Sequence, residues 1–260
     1  MSGFQVYNEV GALQLDSNYI PYVLVAKGTI SVQGLNSYDT DNAVGVTVNP
    51  RTLVYEGQSV GSTRGYKVWN GSAYSYRYYR SPKLVLASTE AFVAVVGCIK
   101  IDRSVTWYLS CGNFAGSSSA GLQSKTIPYY IFDAVPNNIL TETHNGLNLY
   151  DTRGDVLYSS DYPPLKMVNR GVGPTGTLSP SATNTVVTAP AGNYGAMIYD
   201  GRISTIYRGG SNNIRMFEGV RITSTGAETN RVYSYLVSTT AGGHRTSPGC
   251  SVFLVDLAGL

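Results

Sequence analysis

The sequence predicts an all-β protein built as two tandem β-sandwich-like domains related by internal duplication. Three observations predict it. Apolar runs are short and alternate at period two, with 29 Gly and 11 Pro scattered among the 260 residues. One long motif is written twice. Each half also closes on a short apolar run ending in Asp.

The first copy of the motif is GFQVYNEVGALQLDSNYIPYVLV, from Gly3 to Val25; the second is GLNLYDTRGDVLYSSDYPPLKMV, from Gly146 to Val168. They align end to end without a gap. The identities are Gly3/Gly146, Tyr7/Tyr150, Gly11/Gly154, Ser17/Ser160, Tyr19/Tyr162, Pro21/Pro164 and Val25/Val168. Tyr, Gly and Pro at matched spacings, with apolar positions matched in kind between them, point to duplication rather than chance.

Within each copy, Phe4, Val6, Leu13 and Leu15, or Leu147, Leu149, Val156 and Tyr158, alternate as one face of a strand pair. Asn8 or Asp151 opens the intervening turn through its side chain, and Gly11 or Gly154 supplies positive φ at its end. Each copy therefore predicts a β-hairpin. A Ser-x-Tyr-x-Pro tail then leads into the next strand, at Tyr22 to Val25 and Leu165 to Val168.

Further strands are predicted at 44–48, 52–55, 65–69, 105–110, 184–188, 196–199 and 231–237, each an apolar run bounded by turn residues. Lys83 to Val96 lacks Gly and Pro and is the best helix candidate, but Leu84/Leu86 and Ala91/Val93/Val95 alternate at period two. It reads as two strands. IPYYIFDAV (127–135) and CSVFLVDLA (250–258) close the halves at Asp133 and Asp256. The polar stretch between the halves, with a Pro and three Asn, reads as a linker. The expected organisation is a domain over 1–136, a linker over 137–144 and a second domain over 145–260.

Composition narrows function by exclusion. A net charge of +3 from thinly spread basic residues does not argue for nucleic acid. No apolar run approaches the roughly 20 residues of a membrane span, so membrane insertion is not expected. Met1 is followed by neither a basic stretch nor an apolar segment, so no signal peptide is expected. Cys98, Cys111 and Cys250 are odd in number, without CxxC spacing, and read as reduced thiols of a protein made in a cytosol. A Cys98–Cys111 bridge would require their strands to pair side by side.

Catalytic and metal signatures fail on context. Gly57-Gln58-Ser59-Val60-Gly61 matches a nucleophile elbow, but a Gly and a strand pattern follow where the helix should be. His144 and His244 are the only histidines, far apart in the chain, and give no zinc spacing. Asp39-Thr40-Asp41-Asn42 begins like a calcium loop but lacks its Gly and closing Glu. Asn70-Gly71-Ser72 reads as a hairpin turn rather than a glycosylation site. No phosphate-binding or dinucleotide motif occurs. No catalytic residue, metal site or cofactor is assigned, and the chain is not expected to be an enzyme.

One stretch stands out as a contact face: SAYSYRYYRSP, residues 72–82. On a strand, Tyr74, Tyr76 and Tyr78 share one face, and Arg77 and Tyr79 lie on the other, followed by Arg80. Tyr and Arg offer large area and hydrogen bonds at low entropy cost, which enriches them in binding hot spots. The competing explanation is a tyrosine-rich core face whose hydroxyls reach the rim.

The hairpin signature, G-Φ-x-Φ-Y-[ND]-x-x-G-x-x-Φ followed by S-x-Y-x-P (Φ apolar), resembles the opening of small tail-tip or minor tail proteins of long-tailed bacteriophages. In those proteins an Asp-Ser stretch follows the hairpin. Leu15-Asp16-Ser17 matches it, whereas Tyr158-Ser159-Ser160 carries Ser where Asp is expected. The resemblance covers Gly3 to Val25 in the first half and Gly146 to Val168 in the second. It implies a virion structural protein of the tail, made in the bacterial host cytoplasm, that acts in tail assembly and host-cell adsorption. Its partners would be other phage tail proteins, further copies of itself in a trimer or ring, and a bacterial surface receptor. The alternative is a carbohydrate-binding β-sandwich module that recognises surface glycans through the aromatic face; a hydrolase of unrecognised type ranks third.

Overall fold

The computed structural model describes residues 5–7, 13–16, 22–35, 50–56, 65–69, 74–78, 82–101, 104–112, 121–133, 146–150, 156–173, 184–199, 201–206, 213–237 and 250–260. Among them the chain forms nineteen β-strands and no helix, so the protein is all-β. The linker at 137–144, the turn residues Asn8, Gly11, Asp151 and Gly154, and Tyr79, Arg80, His144 and His244 lie outside the described residues, as do 39–42, 44–48, 57–61 and 70–72.

The first half opens with β1 (Gln5–Tyr7) and β2 (Leu13–Asp16). It continues with β3 (Val23–Leu35), β4 (Arg51–Glu56), β5 (Gly65–Trp69), β6 (Tyr74–Tyr78), β7 (Lys83–Leu86), β8 (Phe92–Ile101), β9 (Ser104–Gly112) and β10 (Leu122–Asp133). The second half opens with β11 (Asn148–Tyr150) and β12 (Val156–Ser159), then β13 (Met167–Val172), β14 (Val186–Thr188) and β15 (Tyr194–Tyr199). It ends with β16 (Ile203–Ile206), β17 (Asn213–Thr223), β18 (Gly226–Val237) and β19 (Ser251–Asp256). The stretch from Lys83 is two strands, because Ser88 turns the chain between them. Its hydroxyl donates to the Ala91 carbonyl at 2.7 Å and accepts from the Ala91 amide at 3.2 Å.

Thirteen strands join one sheet, in the order β13-β19-β15-β7-β10-β3-β9-β8-β17-β18-β14, with β4 beside β9 and β16 beside β17. The end strands β13 and β14 lie close together, where the Asn169 side-chain Nδ2 donates to the Thr188 carbonyl at 2.7 Å, so the sheet nearly closes on itself. Such near-closure removes most exposed edges.

The halves share several pairings. In the first, β10 pairs antiparallel with β3 and β7, β8 pairs with β9, and β4 flanks β9. In the second, β19 pairs antiparallel with β13 and β15, β17 pairs with β18, and β14 flanks β18. The closing strands named from sequence, β10 and β19, are thus central in their three-strand groups, with Asp133 and Asp256 at their ends. Alternation along these strands sends one set of side chains inward. One buried cluster, including Leu84, Trp107, Leu109, Ile127 and Ile131, fills the first half. A second, including Tyr194, Val220, Ile222, Val252 and Leu254, fills the second half.

At the corner of the first half β3 meets β9 in parallel, Gly34 opposite Cys111 and Leu35 opposite Gly112. A Cβ at Gly34 would collide with the Cys111 carbonyl, so only glycine lets these backbones approach. Cys111 is buried there, its thiol donating to the Val32 carbonyl at 3.2 Å.

Candidate functional site

The repeated motif folds the same way twice. In the first copy Gln5 pairs with Asp16, Val6 with Leu15 and Tyr7 with Leu13. In the second, Asn148 pairs with Ser159, Leu149 with Tyr158 and Tyr150 with Val156. Every residue of the second set occupies the motif position of its counterpart in the first. The registers also slip at the same place, between Val6 and Tyr7 and between Leu149 and Tyr150. A bulge placed identically in two hairpins is a built feature of the motif.

The second copy explains why Gly and Ser are fixed in it. The Ser160 hydroxyl accepts a hydrogen bond from the Leu147 amide at 2.9 Å, and the Ser160 amide donates to the Leu147 carbonyl at 3.0 Å. A Cβ at Gly146 would overlap the Ser160 hydroxyl. The Gly at the start of the motif therefore makes room for the Ser that ties off its far end.

The tails of the two copies cross. The Leu24 amide donates to the Pro163 carbonyl at 2.8 Å, and the Leu165 amide donates to the Tyr22 carbonyl at 2.7 Å. Val23 bridges Pro164 antiparallel, and Tyr162 packs against Val23. Tyr22 and Leu165 hold the same position in the motif, so the two tails meet at equivalent residues. In the main sheet β7 meets β15 antiparallel, with Leu86 opposite Ala196. Behind this seam lies a shared core of Val85, Phe132, Met197, Val255 and Leu257, against which Tyr22, Leu24, Leu165 and Phe253 pack. A second shared cluster joins Phe92 and Ala94 of β8 to Phe217 and Val232 of β17 and β18.

The tyrosine-rich stretch forms strand β6, paired with β5 in a two-stranded sheet of its own. Tyr74 lies opposite Trp69, Tyr76 opposite Lys67, Tyr78 opposite Gly65, and Arg77 opposite Tyr66. Both strands of this hairpin therefore carry aromatic and basic residues.

A buried ion pair escaped the sequence reading. Arg202 and Glu218 have side chains 3% and 0% exposed, with Arg202 Nη2 at 2.7 Å from Glu218 Oε1. Arg202 Nε and its backbone amide donate to Oε2 at 2.9 and 3.2 Å, and the Thr229 hydroxyl donates to Oε1 at 2.9 Å. Burial alone would raise the Glu218 carboxyl, but these donors outweigh it and hold it below the ordinary carboxylate range. The available signal was an acid in the middle of the apolar pattern of NIRMFEGVRIT.

Among the described residues, no group of three or more His, Cys, Asp and Glu is placed to hold a metal ion. Cys98 lies opposite Trp107, and Cys111 lies opposite Val93, so the two cysteines do not face each other across their hairpin. Neither they nor Cys250 takes part in a disulfide. No protein-family model matches the chain, and no curated protein and no solved structure matches it either.

Proposed function

We propose that this chain is a structural protein of a bacteriophage tail, of the tail-tip or minor tail group. We take it to be built as two β-sandwich-like domains by internal duplication. The observation that carries the reading is the hairpin motif itself, whose two copies share sequence, register and bulge. The shared strand pairings and the separate core of each half support the duplication. In this reading the motif is an assembly element. It begins each domain, and its tail fastens one domain to the other through the Leu24–Pro163 and Leu165–Tyr22 hydrogen bonds. Tail proteins, further copies of the chain and a bacterial surface receptor are the partners it would meet in the virion.

Immunogold electron microscopy of particles released by the source cells tests this. Gold at one end of a tail is the expected result. Antigen that stays soluble and monomeric, with no particle labelled, would remove the tail assignment.

A second reading, a carbohydrate-binding module, is favoured by β5–β6 alone, where Trp69 lies opposite Tyr74 in a hairpin that stands outside the main sheet. Glycan binding by an isolated monomer, lost in Tyr76→Ala, would favour it over the tail.

A further inference from the structure

A cleft opens where the two halves meet, and no residue of β5 or β6 lines it. Its volume is about 670 Å³, within the roughly 300–1,000 Å³ of small-molecule sites. One wall is Ala87 and Thr89, from the turn after β7, and Tyr130 of β10. The other is Asn193 and Tyr194 at the start of β15, and the floor and rim are Arg221 to Ser224 at the end of β17.

The chemistry of this lining is specific. Arg221 is the one formally charged lining residue, and Glu228 compensates it across the strand pair, with Nε at 3.1 Å and Nη2 at 2.5 Å from Oε1. Its guanidinium also lies over the Phe92 ring at 4.4 Å. Salt bridge and ring hold the planar fork in place, and among the described residues Nη1 has no hydrogen-bond partner. The Asn193 amide nitrogen donates to the Leu257 carbonyl at 3.3 Å, which fixes the amide and leaves its oxygen without a partner among the described residues. Tyr194 is anchored by its hydroxyl, which donates to the Pro190 carbonyl at 2.7 Å. The hydroxyls of Thr89, Thr223 and Ser224 add groups that both donate and accept. Tyr130 contributes an aromatic wall.

We propose that this cleft binds a neutral saccharide. An oriented guanidinium nitrogen and an amide oxygen supply fixed donors and an acceptor for ring hydroxyls. The hydroxyl side chains accept either polarity, and the aromatic wall offers an apolar face to sugar C–H groups. Compensation of Arg221 by Glu228 leaves no net charge to recognise a phosphate or carboxylate. The proposal goes beyond the tail assignment and does not rest on it.

Saturation-transfer NMR on the purified full chain tests it, with maltotriose, cellotriose, mannotriose and chitotriose as probes and trigalacturonic acid as the charged comparator. The expected result is saturation of at least one neutral trisaccharide. Ser224→Trp, an exposed turn substitution that fills the cleft, should abolish that signal while the thermal melt stays unchanged. Arg221→Lys keeps the charge beside Glu228 but loses the planar fork, and should weaken binding roughly tenfold. Three results would each overturn the proposal. One is saturation of no neutral probe; another is binding that survives Ser224→Trp but not Tyr76→Ala; the third is tighter binding of the charged comparator. None of them bears on gold labelling of tails, so the two readings fail separately.

Discussion

At the scale of single residues, the buried Arg202–Glu218 pair contributes to the pH response of the second half. The Glu218 carboxyl ionises below its unfolded range in the folded protein. Its contribution is therefore complete above the unfolded value of about 4.3 and is lost as pH falls through the lower folded value. Glu218→Gln should lower stability by about 3–5 kcal/mol at neutral pH, because it strands the Arg202 charge in the core. Urea titrations at pH 7 and pH 3 should show the gap between wild type and variant narrowing in acid. The thiols give a second residue-level test. Burial, against a smaller opposing pull from Lys125, pushes the Cys111 thiol up to about 12. Cys250 is fully buried and Cys98 is exposed. A thiol reagent at pH 8 should modify one cysteine of the native protein quickly, and Cys98→Ser should remove that reaction.

At the scale of elements, the corner at Gly34 is a point where a single methyl group is not tolerated. Gly34→Ala drives a methyl into the Cys111 carbonyl and should cost about 3 kcal/mol, the upper end of overpacking. A denaturation midpoint equal to wild type would show that β3 and β9 can part there without loss. The strands that were legible in the sequence were short apolar runs bounded by turn residues: β4, β5, β7, β8, β9, β14, β15, the second part of β18, and β19, together with the repeated hairpins. Strand β17 was missed because Arg215, Glu218 and Arg221 interrupt its apolar pattern. Those charges read as loop residues until Arg202 and Glu228 are seen to pair with two of them, partners 16 and 7 residues away. The polar start of β10, Leu122 to Thr126, was missed for a related reason: its alternation is exposed and half-buried rather than apolar and polar. Of the candidate contact face, the strand at Tyr74–Tyr78 was legible from its β-forming residues. The saccharide cleft was not, because it gathers Thr89, Tyr130, Asn193 and Arg221 from segments far apart in sequence.

At the scale of the whole molecule, two half-cores are joined by two shared clusters and one continuous sheet. Phe132 is fully buried in the larger shared cluster. Phe132→Ala should therefore lower stability by about 3–5 kcal/mol and weaken both halves together. Calorimetry should give one transition in wild type and one, at lower temperature, in the variant. Two resolved transitions would mean that the halves melt as separate bodies. The seam between the halves carries a further consequence. A contact in which like segments run antiparallel and meet at matching positions is the kind that ordinarily couples two identical subunits about a two-fold axis. On the proposed duplication, covalent linkage brings that partnership inside a single chain, and the surface that would make such a dimer is already occupied. On that proposal, growth into a larger assembly proceeds through unlike surfaces, which make a ring when the rotation between copies closes. Light scattering on purified protein should then find monomer or a cyclic species of three or more copies, and a stable dimer would contradict it.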